Sequence, residues 1–426
     1  MYKMKATKFK STELGAIPKD WEVKRFDECF TLMRNNTYAR ECLTDHCGSV
    51  ANVHYGDILV KYGAVLNFVK DSIPYLKPWV KPNKDLLKDG DVIFADTAED
   101  ETAGKAVEVQ GIGDRKAVAG LHTVACRPNE GLFASRYLGY YINSVAYHSQ
   151  LLPLMTGTKV SSVSRAGFVS TYLALPPIAE QRRIAGALSD VDELISALGK
   201  LIEKKRNIKT GTMQQLLTGK TRLPGFKGKW VEKRLGECGE FIGGAVFPVN
   251  RQGELCGDYP FFKVSDFSNR GNESELRISN NYISKAVASE LGCRIIPAAS
   301  IVFAKIGAAI ALERKRIVIQ DSCIDNNMMA FRVNNCNDPM FWVEILRGIR
   351  FSDFSESTAL PALNIGRLRD FVVGVPALAE QKAIAAVLSD IDAEIAALEA
   401  DRAKYERIKS GMMQELLTGK TRLKGE

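Results

Sequence analysis

A 48-residue segment of this chain occurs twice. Residues 176–223 are repeated, without a gap, 200 positions later at residues 376–423, and 27 of the 48 aligned residues are identical. A shorter echo lies upstream of each copy, because Trp-x-x-Lys-Arg-x-x-Glu-Cys occurs at residues 21–29 and again at residues 230–238. The chain is therefore built twice on one plan, a divergent module of about 150 residues followed by a strongly repeated segment.

The repeated segment has the apolar spacing of a long helix. In both copies apolar residues recur at alternating intervals of four and three, the pattern of a coiled-coil seam. Prolines at 176, 177 and 376 precede the pattern, and proline is tolerated only at or before a first helical turn. Gly219 and Gly419 mark the predicted ends. About 40 residues at 1.5 Å each would form a rod of roughly 60 Å.

The charges on the two predicted helices favour pairing of one with the other. Residues 178–223 carry nine Lys/Arg and five Asp/Glu, a net charge of +4, whereas residues 378–423 carry seven and eight, a net charge of −1. Unequal charge favours a mixed pair over self-pairing. Each helix must also return to the next module, so we expect the two helices to be antiparallel. The alternative is that each helix packs on its own module.

The divergent modules have the pattern of mixed α/β domains. Each contains short runs of β-branched and aromatic residues followed by a helical stretch, which lies at residues 133–152 in the first module and 340–352 in the second. The predicted strands are residues 91–95, 106–110 and 122–126 in the first module, and 294–296, 300–304, 316–320 and 328–333 in the second.

Composition narrows the class of protein. The chain has 426 residues, 46% of them apolar and 25% charged, which is ordinary for a globular protein of two to four domains. No apolar run approaches the 18 or so residues of a membrane span, and the basic N-terminus lacks the apolar stretch of a secretory signal. Nine cysteines without framework spacing predict reduced thiols in a cytoplasmic protein, and a net charge of +8 permits a polyanionic partner without requiring one.

The two ends of the chain continue the same plan. The central copy runs from LLTGKTRL directly into the second module, whereas the last copy stops at LLTGKTRLKGE. Joining the C-terminus to the N-terminus would recreate something like the central junction. This circular arrangement predicts that the termini lie close together.

These motifs resemble those of a known family. Pro-Pro-x-x-Glu-Gln-x-x-Ile-Ala, then Leu-Ser-x-x-Asp, then Lys-x-Gly-x-Met-Gln-x-Leu-Leu-Thr-Gly-Lys-x-Arg-Leu, occurs at both repeats, with Ala377 replacing the second proline in the later copy. The pattern resembles the specificity subunit (HsdS) of type I restriction–modification enzymes. The stretches at residues 15–21 and 259–267 are similar to parts of target-recognition domains in that family.

The resemblance implies a fold and a division of the chain. The expected fold is α/β (α+β), with two globular target-recognition domains separated by two long antiparallel coiled-coil helices in a pseudo-two-fold circular repeat. Residues 1–175 would form the first domain (module one) and residues 223–375 the second (module two). Residues 176–222 would form the central helix, and residues 376–426 the distal helix.

The resemblance also implies a function without catalysis on this chain. Each module would read one half of a split, asymmetric sequence in double-stranded DNA, and the helices would set the distance between the half-sites. Two modification (M) subunits would supply adenine methylation with S-adenosylmethionine, and restriction (R) subunits would add cleavage driven by ATP with Mg²⁺. A coiled-coil adaptor that binds proteins rather than DNA is the alternative, and a self-contained nuclease is a third hypothesis.

The sequence is consistent with a DNA-recognition protein that has no catalytic activity of its own. No methyltransferase motif of the Asn/Asp-Pro-Pro-aromatic type occurs, and Thr218–Thr221 lacks the preceding glycine of a phosphate-binding loop. Cys42, His46 and Cys47 have no second pair with zinc-ligand spacing, so no metal site is predicted.

Base reading needs forked polar side chains, with Arg or Lys for guanine and Asn or Gln for adenine. The predicted DNA contacts are Arg34, Asn35, Asn36, Tyr38, Lys159, Ser161, Lys263, Ser265, Asp266, Lys305, Asn326, Asn327, Asn364 and Arg367. The residues predicted to form the coiled coil or to contact partner subunits are Glu180, Gln181, Ile184, Leu188, Ile195, Leu198, Glu380, Gln381, Ile384, Leu388, Ile395 and Leu398. The Glu-Gln pairs are compatible with a contact to a module or to a partner subunit.

Overall fold

The computed structural model describes residues 8–82, 85–356 and 360–423. The chain forms two compact units, one of residues 1–199 and 400–426 and the other of residues 200–399. The division therefore passes through the middle of both long helices, so that each unit holds one module and half of each helix. The N-terminal residues considered as a secretory signal, and both chain termini, lie outside the described residues.

The first unit holds module one and the start of the central helix. Its strands are β1 (Phe9–Thr12), β2 (Gly15–Pro18), β3 (Glu22–Arg25), β4 (Phe30–Leu32), β5 (Leu43–Thr44), β6 (Val50–Val53), β7 (Val65–Asn67), β8 (Tyr75–Leu76), β9 (Val92–Ala95), β10 (Thr97–Ala98), β11 (Ala106–Gln110), β12 (Lys116–Ala119), β13 (Thr123–Pro128), β14 (Ser161–Ser162) and β15 (Tyr172–Leu175). Its helices are α1 (Phe26–Cys29), α2 (Tyr55–Val60), α3 (Tyr137–Ile142), α4 (Val145–His148), α5 (Arg165–Val169) and the first part of α6 (Ile178–Leu216).

The second unit holds module two. Its strands are β16 (Val231–Arg234), β17 (Gly239–Gly243), β18 (Tyr259–Phe262), β19 (Glu275–Leu276), β20 (Tyr282–Ile283), β21 (Ile301–Ala304), β22 (Lys315–Val318), β23 (Cys323–Ile324), β24 (Met328–Val333), β25 (Ser355–Glu356), β26 (Ala362–Leu363) and β27 (Val372–Val375). Its helices are α7 (Leu235–Cys238), α8 (Lys285–Glu290), α9 (Pro339–Gly348), α10 (Ile365–Arg369) and the first part of α11 (Leu378–Leu416).

The two modules share one sheet topology. The larger sheet has the order β4-β13-β9-β11-β7 in module one and β17-β24-β21-β22-β19 in module two. In both, the last pair is parallel and the others are antiparallel. A smaller sheet repeats the parallel pair β12–β6 as β23–β18. The scaffold is therefore duplicated even where the residues differ.

Each module is closed at its base by a pair of strands. β3 is antiparallel to β15, and β16 is antiparallel to β27, so the first and last strands of each module are hydrogen-bonded to one another. The Trp-Lys-Arg echo found in the sequence lies at the start of β3 and β16. The two ends of a module thus meet where its long helix begins.

Most of the predicted strands are present, with two corrections. Residues 294–296 are not a strand, because only Ile296 forms an isolated bridge, with Ser322. The helical stretch predicted at residues 133–152 is two short helices, α3 and α4, because the chain turns between Asn143 and Ser144 before the second of them begins.

The two long helices run antiparallel within each unit. In the first unit Lys409 pairs with Asp192 at 2.6 Å, and Arg422, which follows the end of α11, pairs with Glu180 near the start of α6. In the second unit Lys209 pairs with Asp392, also at 2.6 Å, and Arg222 pairs with Glu380. The order of these pairs confirms the predicted antiparallel arrangement. Gly219 and Gly419 follow the helix ends with φ of 68° and 69°, a conformation that favours glycine.

The seam residues divide into two groups by their surroundings. Ile184 and Leu188 are fully buried in the core of module one, and Ile384 and Leu388 in that of module two. Ile395 is also buried, whereas Ile195, Leu198 and Leu398 are half-buried. The first turns of each helix are therefore part of a module core, and the helices contact both each other and the modules.

A buried carboxylate in module one should make stability depend on pH. Glu108 on β11 accepts hydrogen bonds from the backbone N–H of Arg136 and Gly139 and from Gln110 Nε2. Burial raises its pKa from the ordinary 4.5 to about 7, against these hydrogen bonds. A carboxylate with a raised folded-state pKa stabilises the fold at low pH, and this contribution is lost as pH rises through the folded-state value.

We therefore expect Glu108 to lower the free energy of unfolding between pH 5 and pH 8, by at most about 3 kcal/mol. Burial lowers the pKa of His54, which makes stability rise with pH. The pH dependence of wild-type stability alone therefore does not isolate the contribution of Glu108. Urea unfolding of wild type and Glu108→Gln across this range isolates the contribution of Glu108. Parallel curves for the two proteins would contradict it.

Candidate nucleic-acid interface

Each module has the same backbone junction where strands of its larger sheet end. In module one Asp96 follows β9, donates its N–H to His122 O at 3.1 Å and accepts from Val163 N at 2.8 Å. The next residue, Thr97, pairs with Ser162. We call this set of residues the strand-end junction of module one.

Module two repeats the junction with different residues. Lys305 follows β21, donates its N–H to Asn327 O and accepts from Leu363 N, both at 2.9 Å. The next residue, Ile306, forms a bridge with Ala362. We call this set of residues the strand-end junction of module two. The equivalence places Lys305 where module one has Asp96, and Asn327 where it has His122.

The side chains at the module-one junction are paired with one another. His122 Nδ1 lies 3.6 Å from Asp96 Oδ1, and the His122 ring packs edge-on against Tyr55. Asn35 Oδ1 accepts from Arg165 Nη2 at 3.0 Å, and Asn35 Nδ2 contacts Gly120 O at 3.3 Å. These contacts bring a carboxylate, an imidazole, an amide and a guanidinium onto one polar surface.

Arg34 lies beside this surface and is held by a carboxylate. Its guanidinium makes two hydrogen bonds of 3.1 Å to Asp85, whose carboxylate also accepts from the Arg34 backbone. The pair raises the pKa of Arg34 and lowers that of Asp85. Since the side chain of Arg34 is three-quarters exposed, it is available to a partner despite this pairing.

The module-two junction is more open. Gly243 and Gly244 stand where module one has Arg34 and Asn35, and a Cβ on Gly244 would collide with the backbone oxygens of Ile324 and Asp325. A Cβ on Gly243 would lie 3.9 Å from Lys305 Nζ. Among the residues that the structure describes, the Lys305 ammonium has no hydrogen-bond or ion-pair partner, although the residue is half-buried. The glycines therefore leave a cation facing an open space.

Three predicted asparagines border the module-two junction. Asn327 is exposed, and its amide donates to Asp325 Oδ1 at 2.7 Å. Asn326 is half-buried beside it. Asn364 directly follows β26, and its side chain caps α10 by accepting from Arg367 N at 3.0 Å. Lys305, Asn326, Asn327 and Asn364 thus lie in one region of module two, whereas Arg367 is exposed on α10 with its guanidinium over Phe354.

Two of the predicted contacts, Asn36 and Asp266, are buried. Asn36 is only 5% exposed, which leaves little of it accessible to a base. Asp266 is fully buried and accepts from Lys263 N at 2.7 Å and from Asn269 Nδ2 at 3.2 Å. Burial raises the pKa of Asp266. Both residues are polar side chains turned inwards, and this orientation does not suit direct base reading.

The remaining predicted contacts are accessible but lie elsewhere on the modules. Lys263 donates from Nζ to Gln252 Oε1 at 2.7 Å, and Ser265 is exposed in the turn that follows. Tyr38 donates its hydroxyl to Lys81 O at 2.9 Å. Lys159 is exposed two residues before Ser161, which lies at the end of the β10–β14 ladder. The structure does not join Lys263 and Ser265 to the strand-end junction by any of these contacts.

Sequence reasoning missed several residues of this surface. Asp96, His122 and Arg165 belong to the junction but stand in no recognisable cluster in the sequence. Alignment of the two modules at an offset of 209 would have paired Asp96 with the predicted Lys305. A second missed feature is Trp79, which is 74% exposed with Lys77 Nζ 5.3 Å from its ring.

The Glu-Gln pairs contact the modules rather than a free surface. Gln181 accepts from Ala134 N and donates to the carbonyls of Leu132 and Pro176. Gln381 accepts from Asp338 N and donates to Asn337 and Pro376. Both glutamines are 1% exposed, so of the two expectations for these pairs the structure supports the contact with a module.

Each buried glutamate accepts from the arginine of a helix end. Glu180 binds Arg422, which also makes two hydrogen bonds to Asp20, and Trp21 Nε1 donates to Glu180 at 3.3 Å. In the second unit Glu380 binds Arg222. The Thr-Gly-Lys-Thr-Arg sequence is thus a helix end whose arginine reaches a buried carboxylate.

The described residues form neither a metal site nor a membrane-spanning helix. Within residues 8–82, 85–356 and 360–423, no group of three or more His, Cys, Asp or Glu side chains has the arrangement of a metal site. No helix in the same described ranges combines the length and the apolar character needed to cross a bilayer.

Comparison with known proteins identifies the family. The family described as "Type I restriction modification DNA specificity domain" matches residues 18–207 and 227–409. A putative type I restriction enzyme MjaX specificity subunit from Methanocaldococcus jannaschii is 24% identical over 99% of this chain and 98% of its own length. The MjaVIII specificity subunit of the same organism is 26% identical over 63% of this chain and 66% of its own.

Solved structures agree on the fold. A chain from a study of assembly and conformational transition in the type I R-M system has a TM-score of 0.59 and 18% identity, covering 95% of this chain and 99% of that one. The S subunit of a type I restriction-modification system from M. genitalium has a TM-score of 0.54 and 15% identity, covering 93% and 96%. With the family match extending over both modules and both long helices, this chain belongs to the type I restriction modification DNA specificity family.

Proposed function

We propose that this chain is the DNA-specificity subunit of a type I restriction–modification complex and reads a bipartite, asymmetric target, one half with each module. The observation that carries the proposal is the strand-end junction. Its backbone hydrogen bonds are the same in both modules, but its side chains are Asp96 and His122 in module one and Lys305 and Asn327 in module two. A common scaffold with different polar side chains suits two half-sites of different sequence.

The proposal assigns the chemistry to partner subunits. Two M subunits would supply adenine methylation with S-adenosylmethionine, and R subunits would supply ATP- and Mg²⁺-dependent restriction, with no cofactor on this chain. Lys and Arg side chains would contact phosphates and supply much of the affinity but no sequence information. The cytoplasmic location stays a prediction.

Methylome sequencing tests the proposal directly. A host that expresses the M subunits with this chain should carry a bipartite adenine-methylation motif, and that motif should be absent when the chain is deleted. DNA binding by the assembled complex should weaken steeply with salt, because each neutralised phosphate releases counterions. A protein-binding adaptor predicts neither the motif nor the salt dependence, and family membership does not favour it.

The purified chain alone should transfer no methyl group. With labelled S-adenosylmethionine and DNA containing the motif, we expect incorporation at background, because the sequence holds no methyltransferase motif. Addition of M subunits to the same reaction is the positive control. Robust transfer by the chain without M subunits would refute the assignment of catalysis to partners.

A further inference from the structure

The two strand-end junctions carry opposite hydrogen-bonding chemistry at equivalent positions. The residue that follows β9 is a carboxylate, Asp96, and the residue that follows β21 is an ammonium, Lys305. Both make the same pair of backbone hydrogen bonds, so their Cα atoms have matching places in the two modules. An ionised carboxylate only accepts hydrogen bonds, whereas an ammonium only donates them.

The module-one position is organised as an acceptor. Asp96 Oδ1 accepts from Thr97 Oγ1 at 2.7 Å and lies 3.6 Å from His122 Nδ1. The carboxylate is a quarter exposed and the imidazole about half exposed, so both groups reach solvent.

The module-two position is organised as a donor. Lys305 Nζ is unpaired among the described residues and lies 3.9 Å from the position that a Cβ on Gly243 would occupy. The Asn327 side-chain amide donates one N–H to Asp325. Its second N–H and its carbonyl oxygen remain able to donate to and accept from a base. A half-buried ammonium that has no acceptor in its own surroundings is stabilised when a ligand brings a hydrogen-bond acceptor to it.

We infer that Asp96 reads an exocyclic amino group, of cytosine or adenine, in the half-site of module one, and that Lys305 reads the acceptor edge of a guanine in the half-site of module two. The inference rests on the proposed function and extends it to the identity of base edges. In the major groove, cytosine N4 and adenine N6 are the donors, and guanine O6 and N7 are the acceptors that lysine contacts.

Base analogues test the two contacts one at a time. The assembled complex is titrated with duplexes in which one cytosine or adenine of the first half-site lacks its exocyclic amino group, or one guanine of the second half-site is 7-deazaguanine. We expect wild type to bind about tenfold more weakly at one position in each half-site, as expected for loss of a good base contact. Asp96→Leu, which removes both acceptor oxygens, should lose the first sensitivity alone, and Lys305→Met, which removes the donor, the second alone.

Matched controls exclude general effects of charge. Glu99→Gln removes an exposed carboxylate three residues from Asp96, and Lys285→Met removes an exposed ammonium elsewhere in module two. Both controls should keep the wild-type sensitivity at every analogue position. If either main variant does not assemble, Asp96→Ala and Lys305→Ala test the same positions with smaller side chains that neither accept nor donate.

The outcomes separate this inference from the proposed function. If Asp96→Leu and Lys305→Met keep every analogue sensitivity of wild type, the assignment of base edges is wrong. It is also wrong if a variant weakens binding equally to all duplexes, because that is the behaviour of a phosphate contact. A wild-type complex that binds no bipartite site would instead overturn the proposed function.

Discussion

Replacing Arg422 by methionine is expected to destabilise the first compact unit by about 3–5 kcal/mol. The Arg422 side chain is 6% exposed and Glu180 is 2% exposed, so the substitution leaves a buried carboxylate without its counter-charge. Two hydrogen bonds to Asp20 are lost as well. Hydrogen exchange followed by mass spectrometry should show faster exchange in residues 8–32, with residues 301–333 little changed.

Two further variants make this expectation specific. Replacing Glu180 by methionine in the Arg422→Met background removes the uncompensated charge, so much of the lost stability should return. Arg222→Met in the second unit should have a smaller effect. The Arg222 side chain is 26% exposed whereas that of Arg422 is 6% exposed, and Arg222 Nη1 binds the carbonyl of Gly228 where Arg422 binds a second carboxylate, Asp20. Equal losses from Arg222→Met and Arg422→Met would contradict this account.

Exchange of module one for that of a relative should replace one entire half of the methylated motif. Residues 23–172 begin in β3 and end in β15, two strands that pair antiparallel, so both junctions of the graft lie side by side. The buried helix starts and the other module are untouched. Methylome sequencing of the host should therefore find one new half-site and one unchanged half-site.

The reciprocal exchange provides the control. Residues 232–372 occupy the same place in module two, between β16 and β27, and their replacement should change the other half-site alone. Such an exchange alters every base contact of a module, so a partial change within a half-site would be unexpected. A change in both halves from a single exchange would argue against independent modules.

Features that recur in the chain could be predicted well from the sequence. The helices were located to within a few residues because the repeat, the prolines and the terminal glycines agree. Their antiparallel pairing followed from unequal charge and from connectivity. Strands with β-branched runs, such as β21 and β24, were also located. Residues 294–296 have a similar run but form no strand, because only Ile296 is bridged to a neighbouring segment.

The polar surface could be predicted only in part, because burial and pairing are tertiary properties. Lys305, Asn326, Asn327 and Asn364 were identified by residue type and do converge. Asn36 and Asp266 have equally suitable side chains but are turned inwards. Asp96 was missed although an offset of 209 pairs it with Lys305, and His122 was missed because the modules differ by insertions. The offset between equivalent residues changes from 209 at Asp96 to 205 at His122, so no single shift aligns the junction.

The discontinuity of the first unit has a consequence for synthesis of the chain. Residues 1–199 are synthesised before the second unit, but Leu416 and Leu417, which complete the core of the first unit, are made only after residues 200–399. The second unit, residues 200–399, is continuous and is finished before them. At 5–20 residues per second, translation of the 200 intervening residues takes about 10–40 s. During that time one side of the core formed by residues 1–199 stays uncovered, until Leu416 and Leu417 emerge from the ribosome.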